Sequence, residues 1–107
     1  MGKFRLAESI ENNVIEYYFV GFDDWRDFDN IFGIIKSKIR PQRTYHEGAT
    51  DMTGYFEKDE LRVDFIYISM GINYLEFKGE QTPDNIAKVK AWAQLIFDEL
   101  MKGLEKS

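Results

Sequence analysis

Apolar and polar residues alternate most clearly in the run LRVDFIYISMGINYLEFK, Leu61 to Lys78. Leu61, Val63, Phe65 and Tyr67 share one face and Arg62 and Asp64 the other, the period-2 pattern of a half-buried strand. After Gly71 the alternation resumes, with Leu75 and Phe77 set against Tyr74, Glu76 and Lys78. Register across the turn can be argued from chemistry, because a slip of one residue carries every side chain to the opposite face. A two-residue Met70-Gly71 turn would set Phe65 opposite Glu76. A three-residue loop, Met70 to Ile72, instead sets Phe65 opposite Phe77 and Tyr67 opposite Leu75. It also pairs Asp64 with Lys78 and Arg62 with Glu80, so the longer loop is expected, with Gly71 supplying a positive φ.

The flanking segments extend this hairpin. Met52 to Glu57 reads as a strand with Met52, Gly54 and Phe56 inward, and a turn at Lys58-Asp59 would pair Phe56 with Leu61 and Gly54 with Val63. The same register lays Tyr55 beside Arg62, a candidate cation–π contact. Val14 to Phe22 is a strand of β-branched and aromatic residues. Lys3 to Ile10 is either its partner, with Phe4, Leu6 and Ile10 on one face and Glu8 out of pattern, or irregular. As a strand it would turn through Asn12-Asn13, pairing Ile10 with Ile15 and Leu6 with Phe19, since Asn tolerates left-handed φ.

Two segments switch to helical period. In Asp23 to Ile39, the residues Trp25, Phe28, Ile31, Phe32, Ile35 and Ile39 form one stripe, with Asp24 as N-cap, Asp27 in the first turn and Pro41 as the stop. In Thr82 to Lys102, Thr82 caps, Pro83 opens, and Ile86, Val89, Ala93, Ile96, Phe97 and Leu100 form the stripe, with Gly103 expected at C′. Arg40 to Thr50, RPQRTYHEGAT, has no period and reads as the longest loop. The predicted order is β-β-α-β-β-β-α: a single α+β domain over residues 1–107, an antiparallel sheet with two helices packed on one face.

Composition narrows the possible functions. A chain of 107 residues supports one core. Without Cys there is no disulfide framework, thiol chemistry or Cys-based zinc site, which fits a reducing compartment, and Met1 to Leu6 does not read as a signal peptide, so the cytoplasm is the expected location. A formal charge of −5 disfavours nucleic acid and suits a basic protein partner. No apolar run reaches membrane-spanning length.

Candidate chemistry is sparse. His46-Glu47 opens like HExxH, but position 50 is Thr and the segment is not helical. Tyr45 or Glu47 could tune His46 as an acid–base group, although a solvated loop histidine is the plainer reading. Asp23, Asp24, Asp27 and Asp29 match no calcium loop and are better read as capping and dipole compensation. The scattered glycines form no phosphate loop, so neither a cofactor nor a metal is called for. What remains is surface. Asp27 and Asp29 with Glu57, Asp59 and Glu60 could form an acidic docking face, while Ile66, Ile68 and Tyr74, with Tyr18, Val20 and Phe22, are too apolar for a wet sheet face.

In size, acidity and α+β pattern the whole chain resembles the small acidic immunity proteins that bacteria make against their own secreted nuclease toxins. The resemblance rests on no motif and transfers no residues. It implies a non-catalytic cytoplasmic inhibitor that docks on a basic toxin domain. Candidate contacts, chosen from exposure and chemistry, are Asp27, Asp29, Glu57, Asp59, Glu60, Tyr55, Tyr74, Ile66 and Ile68. Two other classes stay open: a homodimeric secretion chaperone or adaptor using the open sheet face, and a small enzyme or ligand sensor using the His46 loop.

Overall fold

The computed structural model describes residues 3–48 and 51–106. The elements are β1 (Arg5–Glu11), β2 (Val14–Val20), α1 (Trp25–Ile34), β3 (Arg43–Gly48), β4 (Met52–Lys58), β5 (Leu61–Ile68), β6 (Ile72–Phe77) and α2 (Pro83–Lys106). A π-helical turn, Ile35–Ile39, continues α1. The strands form one antiparallel sheet in the order β1-β2-β6-β5-β4-β3. Phe28 of α1 lies 5.2 Å from Phe65, and Trp92 of α2 lies 5.5 Å from Phe56. Both helices therefore cover the same face, as the sequence predicts. The inward residues Ile15, Tyr17, Phe19, Phe56, Val63, Phe65, Leu75 and Phe77 are buried beneath them. No helix among the described residues is long and apolar enough to cross a membrane.

The first hairpin has the expected register, Ile10 opposite Ile15 and Leu6 opposite Phe19, because Asn12 and Asn13 both take left-handed φ (47° and 65°). Glu8, out of pattern in the sequence, has a reason to face inward. Its carboxylate accepts the hydroxyl of buried Tyr17 at 2.7 Å. Burial first, and then this carboxylate, hold that phenol well above the ordinary tyrosine range.

The other two hairpins slip by two residues from expectation. The β4–β5 turn is Asp59-Glu60, both with left-handed φ, so Phe56 faces Val63 and Gly54 faces Phe65. The β5–β6 loop is Ser69-Met70-Gly71, closed by the Gly71 N–H donating to Ile68 O at 2.9 Å, with Gly71 at φ 94°. Glycine is needed at the last loop position rather than the middle one, which sets Phe65 opposite Leu75 and Tyr67 opposite Asn73. Asn73 is 1% exposed and donates to Phe22 O and Asp24 O, tying this register to the start of α1. A slip of two preserves which face is inward, so the assigned core survives. The expected Asp64–Lys78 and Arg62–Glu80 pairs do not form, since Asp64 now faces Glu76.

Further departures have local causes. The segment read as the longest loop contains β3, an edge strand whose mostly exposed side chains erase the alternation; its end, residues 49–50, lies outside the described residues. Trp25, expected in the buried stripe, is the first residue of α1 and 51% exposed, with the Arg26 guanidinium 5.6 Å from its ring. Phe22, expected on the outer face, is buried, because β2 ends at Val20 and Gly21 (φ 98°) turns the chain inward. Gly103 is not a C′ residue: α2 runs on through it to Lys106. Asp24 caps α1 as expected, in a reciprocal capping box with Asp27.

Candidate protein-docking face

The even positions of β2, β5 and β6 and the odd positions of β3 and β4 point away from the helices. Strand order turns them into rows across the sheet. One row reads Ala7, Tyr18, Tyr74, Ile66, Thr53 and Glu47; the next reads Ser9, Glu16, Glu76, Asp64, Tyr55 and Tyr45. In the first, the rings of Tyr18 and Tyr74 stack at 5.1 Å with Ile66 beside them. Ile68 lies one row further along β5, on the same face. The second places three carboxylates, Glu16, Glu76 and Asp64, directly opposite one another on neighbouring strands.

Like charges so placed work against the sheet. Each carboxylate is partly relieved along its own strand. Glu16 accepts the Tyr18 hydroxyl at 2.7 Å, Glu76 lies 3.4 Å from Lys78 Nζ, and Asp64 lies 3.4 Å from Arg62 Nε. The two cations replace the cross-strand partners that the sequence suggested. Arg62 also covers the Tyr55 ring at 4.0 Å, so the expected cation–π contact forms, on a diagonal rather than directly across. Tyr45 lies 6.0 Å from Tyr55 and completes an aromatic border. A shallow depression of about 410 Å³ lies between Tyr45, Tyr55, Asp64, Ile66, Glu76 and Lys78.

The phenols share the electrostatics of the row. Burial, then the hydrogen bond to Glu16, pushes Tyr18 up to about 12. Burial, then the charges of Glu76 and Glu16, raises Tyr74. Both rings are therefore neutral at physiological pH. They offer apolar faces next to fixed negative charge, a combination suited to the alkyl and cationic parts of Lys or Arg side chains.

The sequence-derived candidates divide among three places. Tyr55, Tyr74, Ile66 and Ile68 lie together on this face, and Glu57 lies on it near the β3 edge, 3.5 Å from Arg43. Asp59 and Glu60 form the β4–β5 turn at one end of the sheet, Asp59 reaching Lys88 of α2 at 3.9 Å. Asp27 and Asp29 are on α1, in the other layer. Burial raises the Asp27 carboxyl, opposed by the hydrogen bond it accepts from the Asp24 N–H. Asp27 and Asp29 thus do not join the sheet residues in one acidic patch. Glu16, Glu76 and Asp64, which the sequence reading did not select, do form one. No alternation within a single strand could reveal them, because the row exists only through the β2–β6–β5 order.

His46 lies on the helix side of β3, opposite Gly54, with its ring 4.2 Å from Phe32 and 5.9 Å from Phe28. It is exposed, and among the described residues nothing hydrogen-bonds its imidazole. The described residues also contain no cluster of His, Asp or Glu arranged to hold a metal ion. In comparisons with known proteins, no family model, curated protein or solved structure matches the chain, so its own geometry carries the functional reading.

Proposed function

We propose that this protein is a non-catalytic binding module whose helix-free sheet face docks on a basic protein. The observation that carries the reading is the stacked Tyr18–Tyr74 pair beside the Glu16–Glu76–Asp64 row, on a face that none of the described elements covers. Facing carboxylates disfavour the free fold, and a cationic surface laid over them would turn that repulsion into attraction. The tyrosines and isoleucines supply desolvated contact area, while the overall charge of −5 steers the encounter. With the likeness to immunity proteins, the partner is a basic bacterial toxin domain of nuclease type, and the role is inhibition in the cytoplasm.

The test is affinity capture from the host at low and high salt, using wild type, a face variant (E16Q/D64N/E76Q) and a helix-layer variant (D27N/D29N). A basic protein should be held by wild type at low salt, released by high salt, lost with the face variant and kept by the helix-layer variant. A partner retained equally by the face variant would refute it.

A further inference from the structure

The sheet has two edges, β1 and β3, and they are built differently. An edge strand offers a row of backbone N–H and C=O groups to any extended chain, and folded proteins guard such edges with inward charges, prolines or covering elements. β1 is guarded. Glu8 faces the helix side from the middle of the strand, and pairing two β1 strands about that point would set Glu8 against its own copy. β3 carries no Lys, no Pro and no inward carboxylate; its inward residues are Thr44 and His46. Among the described residues no hydrogen bond reaches its outer side.

The β3 sequence is also complementary to itself. Two β3 strands paired antiparallel about Tyr45 place Arg43 opposite Glu47 of the second copy, and Glu47 opposite its Arg43. Tyr45, 49% exposed, meets its own copy on the two-fold axis, and Thr44 meets His46. No like charges face each other. The parity keeps both helix layers on one side of a continuous sheet, as an isologous interface requires. Moving the axis to Thr44 or His46 loses both ion pairs.

We propose that β3 is the dimer edge of this protein and that its occupant is a second copy of the chain, in the Tyr45-centred register. The pairing extends the helix-free face across both copies, with the Tyr45–Tyr55 borders meeting in the middle. It does not depend on the docking reading. An interface of one strand pair is small, so the dimer is a weak one.

Sedimentation velocity from micromolar to millimolar chain tests it, with circular dichroism to confirm each variant's fold. Wild type is expected to self-associate. R43E sets carboxylates against Glu47 and should raise the dissociation constant about tenfold or more, and R43E/E47R should restore association. Because the chain has no Cys, Y45C adds a single thiol on the two-fold axis, where directly opposed residues are within disulfide reach. Mild oxidation should link Y45C into dimers and leave A7C on β1 monomeric, a readout that stands even if R43E fails to fold. A monomer at all concentrations, association unchanged by R43E, or equal cross-linking of A7C would each overturn the proposal.

Discussion

Replacing Glu76 by Gln should stabilise the isolated protein. Glu76 stands between Glu16 and Asp64, so the substitution removes two directly facing like-charge pairs while keeping the side chain's shape. Each such pair costs roughly 0.2–1 kcal/mol. Against that gain stands the Glu76–Lys78 ion pair at 3.4 Å, in which the Lys78 side chain is 65% exposed, so that solvent screening holds it to no more than about 1 kcal/mol. The Tyr18 hydrogen bond to Glu16 and the Arg62 pairing of Asp64 survive the change. The net expectation is a gain of about 0.5–1 kcal/mol at low salt. Unfolding entropy of about 2.1 cal/mol/K per residue over 107 residues turns this into a Tm rise of roughly 2–5 °C. Urea denaturation with and without high salt checks it, since screening should shrink the difference between E76Q and wild type. A loss of stability, or a gain of equal size at both salt concentrations, would refute the view that repulsion is stored on this face.

Three other outcomes follow from the packing and the titrations. Phe65 is buried at the centre of the sheet against Phe28 and over Gly54, so F65A should lose about 3–5 kcal/mol in urea unfolding. Gly33 is inside α1, and a methyl group added at its Cα would meet nothing within 4 Å, so G33A should gain up to about 1 kcal/mol in the same measurement. Tyr18 is raised to about 12 in the folded chain, so the fold favours its neutral form; that contribution is fully present below the unfolded tyrosine range near 10 and is lost as pH rises from there through about 12. Wild type should therefore lose stability relative to Y18F only above about pH 10. A phenolate absorbance titration checks the cause, and ionisation of Tyr18 at the ordinary tyrosine position would contradict it.

Legibility in the sequence depended on how local each signal was. Asn12-Asn13 can both adopt left-handed φ, so the turn, the β1–β2 register and the Leu6–Phe19 pair all followed from a dipeptide. Asp24 with Asp27 gave the helix start for the same reason, because a cap is a contact between residues three apart. Asp59-Glu60 takes the same two-residue left-handed turn with residues that do not advertise it, and the β4–β5 register moved by two. β3 was missed because an edge strand need not alternate when most of its side chains are exposed.

The sequence by itself determined the α+β class, the two helices and the inward face of the central strands. Period and parity are properties of the chain alone, and they survive a register error of two. Tertiary structure decided the rest. Only the β2–β6–β5 order brings Glu16 of one hairpin against Glu76 of another and stacks Tyr18 on Tyr74, while Asp27 and Asp29 go to the opposite layer. Electrostatic energy depends on distance in space, and strand order, which sets that distance, is not encoded in any one segment.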